Sequence, residues 1–473
     1  MKYYLTVDFG STYTKMCAVD AEAKKVIGTA KAFTTIQTDV REGYNAALAE
    51  LTAAVGKLEY EQKLACSSAG GGLKMIAVGL VPELTAKAAR MAASSAGAKV
   101  THTFSYELSS REQGVIFSAA PDIMLLCGGT DGGNREVIIH NAKKIAEIEG
   151  DFSVIYAGNK SAADDAEAIL RTSGKNVIIC ENVMPVFNSL NIAPAKSAIR
   201  ALFIERIVDA KGLSGIQQEM TDEIIPTPLA VFEGAELLSK GCRKLLGRSM
   251  KEGLVSDEGI GDLMVVDVGG ATTDVYTMCG GKPSRPDAVL KGLPEPFAKR
   301  SVEGDLGLRY NIDSLVESAT ADRVADDLGL STQAVNDWVL ACKKNPDTIS
   351  APGSHERKID EYLTSHAIKV AAERHCGTSQ TIYTPVGETL VMSGKDLTQV
   401  PVLIGIGGPV INLENPDDVL KAALYDAAAS EYMKPLNPAF YADKKYVFAS
   451  MGLVGKVDAH LALKIMKDEI VRI

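Results

Sequence analysis

The sequence predicts an α/β protein in which two similar half-domains face each other across a ligand cleft, with a further α/β module inserted. Three observations carry this reading. Apolar strand-like runs alternate with helix-like stretches along the whole chain. A strand–Asp–x–Gly–strand pattern occurs at Val7 to Lys15 and again at Val265 to Asp274, about 260 residues further on. Near the C-terminus, Val402 to Ile406 runs into the Gly407-Gly408 step.

Lys2 to Val7 and Thr14 to Asp20 read as strands joined by a tight Gly-Ser-Thr turn, and Lys25 to Phe33 as a third strand. Glu42 to Val55 is helical, since Leu48, Leu51 and Val55 recur at helix spacing. Lys63 to Cys66 is a short strand entering Ser67-Ser68-Ala69-Gly70-Gly71-Gly72, a run that suits only a loop. These residues, 1–72, form the first half. From 73 to 185, apolar runs at Met75 to Val78, Ile123 to Cys127, Val154 to Tyr156 and Val177 to Cys180 are each followed by a helix or loop. Such continuous β-rich runs suit a parallel sheet covered on both faces, so this segment reads as the inserted module. Residues 186–260 read as a helical connection, with helices at Ala195 to Asp209 and Leu229 to Leu246. The second half, 261–473, opens with a hairpin of Asp262 to Val268 and Thr272 to Met278. Helices dominate 312–375, Val402 to Ile406 is a buried strand, and Val447 to Val457 closes as strand, turn and helix.

Composition narrows the function. The 473 residues allow about two to four domains. Fifty Lys and Arg against sixty Asp and Glu leave a net charge of −10, with no basic patch to hold nucleic acid or a membrane surface. No signal-peptide or membrane-spanning run is evident. The eight cysteines are scattered without a C-x-x-C, as buried free thiols are, which points to a reducing, cytoplasmic setting.

The chemistry lies in three separated segments. In Val7-Asp8-Phe9-Gly10-Ser11-Thr12-Tyr13-Thr14-Lys15, a carboxylate at a strand end precedes a turn where Gly10 is expected to adopt positive φ. Amides of residues 10 to 12 would then converge on an anion, with the Ser11 and Thr12 hydroxyls as further donors. Val265-Val266-Asp267-Val268-Gly269-Gly270-Ala271-Thr272-Thr273-Asp274 repeats that grammar. The Gly407-Gly408 step lets backbone approach a ligand closely. Any one segment alone is better explained by the needs of a hairpin. The two hairpins followed by strand–Gly-Gly are the order that two half-domains clamping a nucleotide would produce.

These segments resemble the phosphate-1, phosphate-2 and adenosine motifs of the actin/Hsp70/sugar-kinase ATPase superfamily. The resemblance implies ATP or ADP with Mg²⁺, and Asp8 and Asp267 as the catalytic carboxylates around the metal and attacking water. Gly10, Ser11, Thr12, Gly269, Gly270 and Thr272 would cradle phosphate, with Gly407 and Gly408 at the adenosine. Val7 to Lys15, Cys66 to Gly72, Leu125 to Asn134, Gly269 to Val275 and Val302-Glu303-Gly304-Asp305-Leu306-Gly307 together resemble the MutL family over nearly the whole chain. That family is the accessory protein of coenzyme B12-dependent glutamate mutase, unrelated to the DNA-repair protein of the same name. It implies an adenosylcobalamin-dependent mutase as partner.

Other residues keep two readings. Lys15 either reaches a phosphate or is a solvated strand residue. Thr273 joins the nucleotide-binding set, and Asp274 either supports the metal or caps a turn. Glu303 and Gly304 either meet ribose or phosphate or form an ordinary loop. The Cys127 to Gly133 loop is a ligand or partner site at a strand end, or a plain βα connection. The six histidines show no metal spacing. Asp458-Ala459-His460 starts like a cobalamin-binding motif, but Leu463 replaces its glycine. The clustered cysteines of the iron–sulfur dehydratase activators are absent. The leading function is an ATP-dependent reactivating chaperone that releases damaged cobalamin from the mutase. A small-molecule kinase and a non-hydrolysing nucleotide-bound subunit stay open, and a homodimer is among the allowed assemblies.

Overall fold

The computed structural model describes residues 2–35, 39–68, 74–96, 98–210, 213–245, 257–286, 288–384 and 387–473. The glycine-rich loop expected at 67–72 lies mostly outside them, as does Leu246. The chain divides into two compact units, Met1–Gly70 with Ile216–Ile473, and Gly71–Gly215.

The strands run in order β1 (Tyr3–Phe9), β2 (Tyr13–Asp20), β3 (Lys25–Phe33), β4 (Tyr60–Ser67), β5 (Lys74–Gly79), β6 (Lys99–Ser105), β7 (Ile123–Leu126), β8 (Ser153–Tyr156), β9 (Asn176–Ile179) and β10 (Ile225–Pro226). They continue with β11 (Leu263–Val268), β12 (Thr273–Met278), β13 (Ala288–Lys291), β14 (Ala298–Glu303), β15 (Thr378–Thr384), β16 (Gly387–Ser393), β17 (Val402–Ile406), β18 (Ala439–Ala442) and β19 (Val471–Arg472).

The larger unit holds the same sheet twice. The first is ordered β10-β4-β1-β2-β3, with β1, β2 and β3 antiparallel and β4 and β10 parallel to β1. The second is ordered β14-β12-β11-β17-β18, with the same directions strand for strand, and β19 added antiparallel at its edge. Asp8 pairs across its hairpin with Lys15, and Asp267 at the matching place pairs with Asp274. A third sheet, β13-β16-β15, accompanies the second half and has no counterpart in the sequence reading.

Each half places a helix after its fifth strand, Thr227–Leu245 and Val447–Gly455. One apolar core joins both sheets through these helices, including Cys17, Leu64, Leu238, Val265, Ile404, Met451 and Leu463. A second core sits between the second sheet and the helices of 312–375 and 408–420. The two helices touch backbone to backbone. A Cβ on Gly452 would lie 1.8 Å from the Ala230 carbonyl oxygen, and one on Gly234 would lie 3.1 Å from that of Phe448.

Two expectations change here. Val447 to Val457 is helical at its start, not a strand. Val447, Phe448, Ser450, Met451, Gly452, Leu453 and Val454 are all buried, so the run shows no helical alternation of apolar and polar residues. Residues 186–260 are not one helical connection. Those up to 215 fold with the inserted unit, where helix Ala193–Ala210 packs on helix Lys87–Ser95, while β10 and helix Thr227–Leu245 complete the first half.

The smaller unit is a five-stranded parallel sheet ordered β6-β5-β7-β8-β9. Its strand order reverses between β5 and β7, and the Cys127 to Gly133 loop follows β7 at that point. Asn159 ties the loop down, accepting from Gly132 N–H and donating to the Gly133 and Asn134 carbonyls. Among the described residues no helix is long and apolar enough to cross a membrane.

The helix contact generates a stability test. Gly452→Ala should cost about 3 kcal/mol or more in urea unfolding, because backbone and not a pliable side chain is in the way. Gly234→Ala should cost clearly less. Equal small losses would show that the helices separate freely.

Candidate functional site

The two hairpins end in turns of one build. Gly10 N–H donates to the Tyr13 carbonyl at 3.0 Å, and Gly269 N–H donates to that of Thr272 at 2.9 Å. Gly10 does not adopt positive φ, contrary to expectation. It is required for room, since a Cβ there would stand 2.7 Å from the Tyr13 carbonyl oxygen. The turns meet. A Cβ on Gly270 would touch Thr12 Oγ1 at 3.4 Å, and the Tyr310 hydroxyl donates to the Ser11 carbonyl at 3.3 Å. Arg309 and Tyr310 N–H both donate to the Gly270 carbonyl at 2.8 Å, fastening the following loop to the second turn.

Asp8 and Lys15 come together at the first hairpin. Asp8 Oδ1 accepts from the Thr227 hydroxyl at 2.6 Å and Oδ2 lies 3.8 Å from Lys15 Nζ. Lys15 Nζ also sits 4.2 Å from the centre of the Tyr446 ring, a cation–π contact. Burial works against the Lys15 charge, but Asp8, Tyr446 and Asp267 outweigh it and hold its pKa above the usual value.

Asp267 is the anomalous carboxylate. Burial, then Asp274 and Asp8, push its pKa up to about 7 against the pull of Lys15 and Arg300. The positive-φ Gly407 lies beside it, where a Cβ would meet Asp267 Oδ1 at 2.8 Å and the Val268 carbonyl at 2.2 Å. Gly408 faces Tyr446 and Asn412, whose side-chain amide donates to the Gly408 carbonyl. Next to this step, Arg357, Tyr362, Asn412 and Leu413 help line a cleft of about 470 Å³ in the second half.

Three expected site residues have other commitments. Asp274 accepts from Arg300 at 2.8 and 2.5 Å and from the Thr272 hydroxyl at 2.9 Å, and its charge raises the pKa of Asp267. Thr273 is fully buried, its hydroxyl donating to the Leu306 carbonyl at 2.7 Å. Glu303 and Asp305 are gripped by Arg374, and burial raises the Glu303 pKa despite that partner. Gly304 therefore belongs to a loop held by an ion-pair network.

Sequence reasoning missed Thr227, Arg300, Tyr310, Asp443 and Tyr446. Asp443 accepts from Val447 and Phe448 N–H, and an acid just ahead of an apolar run is a readable cap. Tyr446 holds positive φ (57°), a strained choice for an aromatic residue. Nothing local in the sequence marks Thr227 or Arg300.

The residues present suit a divalent cation held by oxygen. Burial first, and then the charges of Asp274 and Asp8, raise the Asp267 pKa to about 7, and a cation between the two carboxylates would oppose all three. Twin sheets with acid-bearing hairpins meeting turn to turn are the arrangement of the actin/Hsp70/sugar-kinase ATPase fold. Within that class the chain belongs to the MutL family, matching its family model, described as MutL protein, over residues 4–470. It is 44% identical over 477 residues to Protein MutL of Clostridium tetanomorphum, covering all of both chains. Among solved structures it is similar to the diol dehydratase-reactivating factor in nucleotide-free form, with TM-score 0.34, 11% identity and 97% and 100% coverage. It is also similar to Acidaminococcus fermentans (R)-2-hydroxyglutaryl-CoA dehydratase component A, with TM-score 0.28, 10% identity and 99% coverage of both chains. These two likenesses are too slight to bear on activity.

The Asp267 shift sets a pH test. From the usual carboxylate range up to about pH 7, the folded protein holds a proton there that the unfolded chain has lost. Stability therefore falls as pH rises through that window. In nucleotide-free protein, Asp267→Asn should raise Tm by several degrees at pH 8, with the gain shrinking at pH 5. A lower Tm at pH 8 would show the carboxylate to be stabilising.

Proposed function

We propose that this protein is an ATP-dependent reactivating chaperone for an adenosylcobalamin-dependent mutase such as glutamate mutase. The observation that carries the reading is 44% identity to a MutL protein over the full length of both, on a chain whose two acid-bearing turns meet. Mutases of this type make radicals, and a lost radical leaves a damaged cobalamin in the active site. A protein with different affinities for the mutase in its ATP and ADP states could open that site and release the cofactor.

The residues suggest how a nucleotide would be held. Gly10 and Gly269 spend their amides on the turns, so phosphate would fall to Ser11, Thr12, Gly270 and Ala271, with Lys15 as counter-charge. Adenine would enter the cleft beside Gly408, against Tyr362 and Arg357. Asp8 and Asp267 would hold Mg²⁺, which when bound offsets charge on the phosphates. Asp8, fixed by Thr227, would orient the attacking water toward the γ-phosphate.

Asp8→Ala should slow single-turnover ATP hydrolysis by orders of magnitude with a smaller loss of ATP binding. The same assay with purified B12 mutase should show wild-type turnover stimulated by the partner. Wild-type-like hydrolysis in Asp8→Ala would remove the catalytic role, and turnover that responds only to a sugar or acid would favour a kinase.

Gly408→Val should weaken ATP binding about tenfold or more while circular dichroism stays native. A Cβ at 408 already lies 3.3 Å from the Tyr446 hydroxyl, and the added methyls would project into the Gly-Gly approach. Calorimetry giving unchanged affinity in the folded variant would take this segment out of the site.

A further inference from the structure

We propose that Cys242, Asp257 and His460 form a binding site for a soft divalent transition metal ion, Zn²⁺ by its chemistry. Each offers one ligand atom, and the three atoms lie within 4.8 Å of one another. They come from separate places in the chain: the far end of helix Thr227–Leu245, the segment leading into β11, and helix Ala459–Glu469. This convergence has no part in the nucleotide site.

The backbone is shaped to make it. Gly241 breaks the helix with φ 72°, and a Cβ there would meet the Asp257 carbonyl oxygen at 2.3 Å. Ile260 and Gly261 N–H donate to the Leu238 and Ser239 carbonyls, zipping the two segments together beside Cys242. Gly259 lies as close, its Cβ position 2.0 Å from the Ser239 carbonyl oxygen. Cys242 and Asp257 are buried, while the His460 side chain is 43% exposed and gives an ion a way in. His460 Nδ1 and Asp257 Oδ1 stand 2.8 Å apart, already turned toward each other.

The donor set selects the ion. One sulfur, one imidazole nitrogen and one carboxylate oxygen suit Zn²⁺, with water in the fourth position. Mg²⁺ and Ca²⁺ want several oxygens and are poorly served here. Binding replaces the Cys242 thiol proton, which passes to solvent as the thiolate bonds the metal. A bound ion would tie helix Thr227–Leu245 to helix Ala459–Glu469, both of which share the core that joins the two sheets.

The test is titration of the reduced full-length protein with Co²⁺, which reports thiolate ligation by absorbance. A thiolate-to-cobalt charge-transfer band should saturate at one equivalent and be displaced by Zn²⁺. Cys242→Ser should abolish the band, and His460→Gln, altering an exposed side chain, should weaken Co²⁺ binding about tenfold or more. If Cys242→Ser does not fold, His460→Gln decides alone. No band in the wild type, a band that persists in Cys242→Ser, or unchanged affinity in His460→Gln would overturn the site. The first of these, with a lowered Tm in His460→Gln, would leave Asp257 and His460 as a hydrogen-bonded tie between elements.

Discussion

The larger unit depends on the contact of two helix backbones at Gly452 and Ala230. A protein of this size can build two sheets easily, but two sheets need a fixed relation before their loops can share a ligand. Here the helices after the fifth strands pack so closely that no side chain fits at Gly452. Close approach without intervening side chains leaves few alternative arrangements, because interiors are packed to near-crystal density. The apolar core around that crossing reaches both sheets, and the hairpin turns at its edge are brought into touch at Thr12 and Gly270.

Duplication of the sheet does not extend to its charges. At matching register positions the first half sets Lys15 opposite Asp8, and the second sets Asp274 opposite Asp267. The second half then requires Arg300, buried against Asp274, to make its extra acid tolerable. The result is three carboxylates and two cations in a confined space, where burial, and after it the neighbouring acids, raise the pKa of Asp267. Burial and the neighbouring acids together make that carboxylate resist ionisation. The strained backbone at Tyr446 fits the same account, since that conformation sets its ring against Lys15 and its hydroxyl beside Gly408.

The inserted unit follows different rules. Its sheet is wholly parallel, its inner strands β7 and β8 are short and fully buried, and the loop after β7 is held by asparagine side chains. Asn159 replaces several backbone partners at once, bonding the Gly132 N–H and the Gly133 and Asn134 carbonyls of a loop that holds four glycines. That loop stands at the point where the strand order of the sheet reverses.

Local pattern made much of this legible. The two hairpins, the strand before Gly407 and the run of short buried strands were all readable, because strand periodicity and glycine turns are decided by neighbours a few residues away. The duplicated architecture followed from their order. What the chain could not show was which charges would find each other. Asp274 read as a metal-supporting or turn-capping residue and Thr273 as a nucleotide contact, with no sign that Arg300 and the Leu306 carbonyl, 26 and 33 residues away in sequence, would bond them. Thr227 meets Asp8 across 219 residues, and Lys15 meets Tyr446 from the opposite half. Even the strand assigned to Val447 failed for a tertiary reason, since a helix buried on every side loses the alternation that would announce it. Local propensity specified the elements, and long-range packing in a low-dielectric interior decided which of their polar groups were left to act.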